Sequence, residues 1–159
     1  MELTRDNVTK WFDAYFKAFN KNAGPLKTVP NMQKYFTPDL EFWSYNMPGA
    51  ERPAPRESLL RSMIHPGLHE ELTPRDYIVD LKRMAVVVQF QLQFNDELSG
   101  KVWPPSQAST HYYLVLDENK DLKIKKIVYF TEHRSPEITR NLHEVWDKYR
   151  DQALAEQKK

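Results

Sequence analysis

Along the first twenty residues, apolar side chains recur three and four positions apart. Val8, Trp11, Phe12, Tyr15, Phe16 and Phe19 form one stripe. This spacing predicts an amphipathic helix, capped by Thr4 or Asp6 and ending before Asn22-Ala23-Gly24-Pro25. A second, short helix fits residues 29–36, with Pro30 near its start. Residues 39–46 read as a strand closed by Pro48, and a third helix runs from Arg56 to Ile64 before Pro66 and Gly67. From residue 75 the period changes to two. Residues 75–84 and 85–94 read as strands, and in the latter Val86, Val88, Phe90, Leu92 and Phe94 share one face, opposite Gln89, Gln91 and Gln93. Residues 108–116 and 122–133 are two further strands around a five-residue turn. Ser135-Pro136-Glu137 then opens a closing helix with Ile138, Leu142, Val145, Trp146 and Tyr149 on one stripe.

Helices followed by a meandering sheet define an α+β arrangement. The expected architecture is a cone: a curved antiparallel sheet wrapped on the N-terminal helices, enclosing a pocket, plus a C-terminal helix. A chain of 159 residues suits one domain with a real core, here 1–159 with a helical extension over 135–157.

The register of the last two strands decides which side chains enter that pocket. If Leu116 sits opposite Leu122, Thr110 lies near Val128 and Ser106 near Glu132. The even-numbered face, with Tyr112, Leu114, Ile124, Val128 and Phe130, is the more apolar and is expected to face inward. Tyr129 then joins His111 and Tyr113 outside, and Glu132 sits at the open end of the enclosed side. A β-bulge would reverse this. Glu132 has two readings: a rim residue, solvated or paired with Arg134 or Arg140, or an acid/base held among apolar walls.

Composition narrows the function classes. Twenty-three basic and 22 acidic residues give a net charge of +1, which offers no electrostatic footprint for nucleic acid or an anionic membrane. The absence of cysteine removes disulfides, thiolate catalysis and cysteine-type zinc sites. No secretory signal and no window of ~20 apolar residues is evident, so a cytoplasmic protein is expected. There is no glycine-rich phosphate loop, metal-ligand cluster or nucleophilic Ser/His/Asp set, so neither metal nor cofactor is expected.

Three segments carry a resemblance to the nuclear-transport-factor-2-like superfamily, whose enzyme branches include SnoaL-like polyketide cyclases, ketosteroid isomerases and limonene epoxide hydrolases. Residues 13–22, DAYFKAFNKN, resemble the first helix of the isomerases, with Tyr15 at their catalytic tyrosine. Residues 35–48, YFTPDLEFWSYNMP, resemble an epoxide-hydrolase segment, with Asn46 at a water-orienting asparagine. Residues 126–133, KIVYFTEH, resemble the final strand, with Glu132 at an acid/base aspartate and Phe130 at an active-site aromatic. Anchoring that strand on LKI instead places Tyr129 at the acid's position. Ser44 stands where the isomerases have their base, and Phe90 and Leu92 stand where the epoxide hydrolases have arginine and aspartate.

The resemblance implies a cofactor-independent isomerase, cyclase or dehydratase of a small hydrophobic molecule, or else a non-catalytic ligand-binding or dimerisation module. Glu132, Tyr15 and Asn46 are the candidate catalytic residues. Tyr112, Phe130, Phe90, Leu92, Trp11 and His65 are the candidate substrate contacts. Tyr15 and Tyr112 could equally be core aromatics, His65 a helix C-cap and Asn46 a turn former. His69, followed by two glutamates, reads as surface. The uncharged glutamine row, with His111, Tyr113 and Tyr129, suggests a homodimer through the outer sheet face, as the resemblance also implies.

Overall fold

The structure is a computed structural model describing residues 1–46 and 49–159; the predicted strand stop at Pro48 lies outside them. Helix α1 spans Arg5–Asn22, and Thr4 caps it by accepting the Asn7 backbone N–H at 3.1 Å. Its stripe of Val8, Phe12, Tyr15, Phe16 and Phe19 is buried. The short second helix is a 3₁₀ turn, Val29–Tyr35. Strand β1 follows at Phe36–Ser44, then the two-residue β2 at Ala54–Pro55 and helix α2 at Arg56–Ser62.

Strands β3 (Leu68–Asp80), β4 (Ala85–Asp96), β5 (Ser106–Leu116) and β6 (Leu122–Thr131) form a meander. The sheet order is β2-β1-β6-β5-β4-β3, with β1 parallel to β6 and every other pair antiparallel. Helix α1 lies across the inner face, and the α+β cone expected from the pattern is present. Val86, Val88, Phe90, Leu92 and Phe94 of β4 are all buried inward, as their alternation requires.

Two differences from the expected pattern reshape the interior. First, β3 begins at Leu68 rather than at 75, because Leu68, Glu70 and Leu72 already alternate with half-exposed neighbours. Second, the register of β5 and β6 shifts between Tyr113 and Leu114: Leu116 pairs with Leu122 and Leu114 with Ile124, but Tyr113 pairs with Lys126 and Thr110 with Tyr129. One extra residue, Lys125, is thus accommodated in β6. Beyond it Ile127 and Tyr129 face inward, whereas Phe130 is 40% exposed on the outside. Strict alternation would have put Lys126 into the core, where an unpaired ammonium is costly. The bulge instead leaves Lys126 outside, over the rings of Trp43 (5.4 Å) and Tyr113 (5.3 Å).

Helix α3 spans Pro136–Gln157, capped by the Ser135 hydroxyl, which accepts the Ile138 N–H at 3.3 Å. Leu142, Tyr149 and Ala153 are buried. The Tyr149 hydroxyl donates to Asp96 at 2.8 Å and the Trp146 indole N–H to the Ser62 carbonyl at 2.8 Å. No helix among the described residues is long and apolar enough to cross a membrane.

Candidate active site

Between α1 and the inner sheet face lies a cavity of about 110 Å³, lined by aromatic and aliphatic side chains of α1, the sheet and α3. Its size approaches the roughly 150 Å³ apolar cavity known to accept benzene. Tyr15, Tyr112, Phe90 and Leu92, four of the expected site residues, line it. So do Tyr129 and Glu70, a residue that the sequence pattern does not single out.

Glu70 is 7% exposed and sits on β3 between the inward-facing Leu68 and Leu72. Burial raises its pKa from 4.5 to about 8, opposed only in part by the positive field of Arg134. At neutral pH it is therefore chiefly the uncharged carboxylic acid. His65 stands beside it, 0% exposed, with its Nε2 at 3.8 Å from Glu70 Oε2. Burial lowers the pKa of His65 to about 4, so the imidazole is neutral too, and the pair is not an ion pair at neutral pH. His65 Nδ1 lies 2.8 Å from the Leu68 carbonyl, an acceptor, so Nδ1 carries the proton and Nε2 presents its lone pair towards Glu70. Neither Nε2 nor Oε2 has a hydrogen-bond partner among the described residues. One ligand or water oxygen at the apex of this 3.8 Å base could reach both.

The local chain holds His65 firmly. Gly24 donates its N–H to the Met63 carbonyl (2.8 Å) and accepts the His65 N–H (2.9 Å). It does so at φ +110°, a conformation open to glycine and strained for other residues. Trp146 of α3 closes the other side, its ring edge-on to His65 at 4.8 Å. His65 does not itself line the cavity; it buttresses Glu70, which does.

The phenols complete the lining. Burial, followed by the field of Glu70, raises the pKa of Tyr15 and of Tyr129; burial, followed by the neighbouring phenols, raises that of Tyr112. All three are neutral hydroxyls, able to donate a hydrogen bond to a carbonyl or developing oxyanion.

Several expected positions are corrected. Glu132 is exposed just beyond the end of β6 and its Oε1 accepts the Gln107 backbone N–H at 3.0 Å; it lies at the rim, outside the cavity. The bulge at Lys125 is the cause. Phe130 is turned outward for the same reason and stacks on Tyr45 at 5.1 Å. Trp11 is one layer behind the lining, parallel to Tyr15 at 6.0 Å. The Asn46 amide is occupied in clamping Thr131, donating to its hydroxyl (2.5 Å) and accepting its N–H (2.9 Å). Asn46 and Glu132 border an open groove instead, and this groove shares Phe42, Ser62, Leu92, Phe94 and Tyr129 with the cavity. No group of three or more potential metal ligands occurs among the described residues.

The chain matches no protein-family model, and no curated protein matches it by sequence. Solved structures do. A nuclear-transport-factor-2-like protein from Anabaena variabilis is 15% identical with a TM-score of 0.60, covering 84% of this chain and 96% of its own. A ketosteroid isomerase-like protein from Erwinia carotovora atroseptica is 13% identical with a TM-score of 0.54, covering 76% and 90%. A protein from Catenulispora acidiphila, solved in complex with S-DNPA, is 17% identical with a TM-score of 0.54, covering 78% and 90%. The chain has the nuclear-transport-factor-2-like fold.

Proposed function

We propose that the protein is a cofactor-independent acid/base enzyme, an isomerase, cyclase or dehydratase, acting on a small hydrophobic molecule in the cavity. The observation that carries this reading is Glu70, a carboxyl group placed among apolar walls with a cavity to face and its proton retained at neutral pH. Such a group can give its proton to a carbonyl or hydroxyl oxygen, and its conjugate base can then take a proton from carbon. The phenols of Tyr15, Tyr112 and Tyr129 supply hydrogen bonds to the oxygen where charge develops. His65 is a positioning residue: it packs beside Glu70 with Nε2 3.8 Å from Oε2, and one oxygen bridging the two would orient the carboxyl. The fold is shared with a protein named as ketosteroid isomerase-like and with one bound to a small molecule, which is compatible with this chemistry.

The test is proton exchange on carbon. Small cyclic ketones in D₂O should lose their α-hydrogens faster with the protein than with buffer. The rate should rise with pH towards a plateau above about 8, where Glu70 becomes the base. Glu70→Gln should slow the exchange ~100-fold or more while keeping the fold. Equal rates in the two proteins would remove Glu70 from the chemistry. Binding of the ketones without exchange would favour the ligand-binding module.

The same proposal includes a homodimer. Across the outer sheet face the register aligns Ile78, Val87, His111, Val128 and Trp43 in one continuous row. Ile78 is 56% exposed, and Phe130 with Tyr45 extends the apolar area beside it. Tyr129, expected in this face, is replaced there by Val128 and Phe130. Sedimentation at micromolar concentration should give twice the chain mass, and Val87→Arg should give the monomer. A monomeric wild-type protein would count against the dimer.

A further inference from the structure

The groove at the mouth of the cavity has a different chemistry from the cavity itself. Its volume is about 610 Å³, and it shares walls with the apolar interior. Its polar lining includes Arg134 and Arg140 against a single carboxylate, Glu132. Arg134 lies three residues beyond the end of β6 and is half-buried. Its Nη2 donates to the Ser106 hydroxyl, and its guanidinium lies 5.7 Å from the ring of Phe94, which lines both spaces. Its Nε, fully screened from solvent, has no partner among the described residues. No ion pair among those residues includes Arg134 or Arg140.

Neither of the two carboxyl groups that act electrostatically on Arg134 forms an ion pair with it. Glu70 keeps its proton because it is buried, and Glu132 is drawn aside by the Gln107 N–H. A guanidinium stays charged under these conditions. Withdrawing it from water without a directly paired counter-ion costs free energy that an anionic partner would offset. Carboxylates suit this role because their oxygens can accept from the guanidinium N–H groups that Ser106 does not use.

We infer that the groove is an anion subsite centred on Arg134, and that the ligand carries an apolar ring for the cavity and a carboxylate or comparable anionic group for the groove. This deepens the reading of the cavity as a substrate site and rests on it. Arg140, exposed at the groove's outer edge, adds long-range attraction rather than direct contact.

The test reads binding only, so it is independent of whether Glu70 moves a proton. Benzoate, phenylacetate and 3-phenylpropanoate form a ruler for the distance between ring and anion. Each is titrated beside its neutral amide into the wild-type protein, Arg134→Gln and Arg134→Lys. A charge-assisted contact predicts that at least one acid binds the wild type ~10-fold or more tightly than its amide. That preference should weaken with added salt, fall to near unity in Arg134→Gln and survive in part in Arg134→Lys, while the affinity for the amide stays the same. If Arg134→Gln does not fold, the salt dependence and Arg134→Lys still decide. Equal binding of acid and amide by the wild type, an unchanged preference in Arg134→Gln, or no binding of any acid at millimolar concentration would each overturn the proposal.

Discussion

Between pH about 6.5 and 8 the wild-type protein should lose about 2 kcal/mol of stability, and Glu70→Gln should lose none of it. The sign follows from two buried groups that depart from their ordinary pKa values in opposite directions. Glu70 binds its proton up to about pH 8 in the fold but only to about 4.5 when unfolded, so its contribution is complete below 4.5 and declines as pH rises through 8. His65 resists protonation down to about pH 4 in the fold, whereas the unfolded chain protonates near 6.5, so its contribution is complete above 6.5 and declines as pH falls towards 4. From 4.5 to 6.5 the two slopes are of similar size and cancel. Above 6.5 only the Glu70 slope remains, at ~1.4 kcal/mol per pH unit. For a chain of this length, about 2 kcal/mol corresponds to a fall of roughly 4–8 °C in melting temperature. In Glu70→Gln the profile should invert: flat above 6.5 and falling below it, because His65 now acts alone. Melting curves collected across this range check both limbs. Parallel profiles for the two proteins would mean that Glu70 is hydrated in solution. A destabilising acid retained in a cavity wall is the kind of cost that functional sites carry.

The parts of this architecture legible in the sequence are those in which one residue's neighbours along the chain decide its environment. The stripe of α1 and the alternation of β4 are of this kind, and both gave the right inward faces: Tyr15 from the helix, Phe90 and Leu92 from the strand. The register of β6 is not, because it depends on pairing with β5 and on where the extra residue falls. A local signal did exist. The face assumed to be inward contained Lys126 between Ile124 and Val128, and a lysine in an apolar row marks the point where alternation breaks. That one slip moved Glu132 and Phe130 out of the site and Tyr129 into it. Glu70 was hidden differently. In the run Leu68-His69-Glu70-Glu71-Leu72 the density of polar residues after a helix stop suggests surface, yet the two leucines share a face with Glu70. Short alternation around a polar centre is a weak pattern, and only the pairing with β4, with Glu70 opposite the buried Phe94, establishes its direction. The role of His65 was out of reach for a further reason: besides the nearby Leu68 carbonyl it depends on Gly24 and Trp146, which meet it from two distant parts of the chain.

Deleting α3 by ending the chain after Arg134 should be the most damaging single change considered, with a melting temperature lowered by more than ~10 °C or no cooperative transition at all. Leu142 and Tyr149 are nearly or fully buried beneath the helix, and Trp146 covers Phe94 at 5.3 Å as well as His65. Burial of each large side chain is worth ~2 kcal/mol, and the total stability of a domain is only about 5–15 kcal/mol, so losing three such contacts removes a large share of it. Polar losses add to this. The Ser62 carbonyl loses the Trp146 N–H and the buried Asp96 loses the Tyr149 hydroxyl, although Asp96 keeps the Ser99 hydroxyl at 2.6 Å and the Leu98 N–H at 3.1 Å. The more telling consequence concerns the site. With Trp146 gone, one wall of the cavity is open and His65 meets water, so the cause of its lowered pKa disappears. The point variant Trp146→Ala, which keeps the helix, should therefore shift the His65 imidazole resonances so that they titrate closer to the ordinary histidine range, at a smaller cost in stability than the deletion. An unchanged melting curve after truncation, or an unmoved His65 titration in Trp146→Ala, would show that the helix is not a wall of the site. The expected pairing of effects would show that the same helix closes the cavity, holds the buttress of Glu70 and stabilises the sheet beneath it.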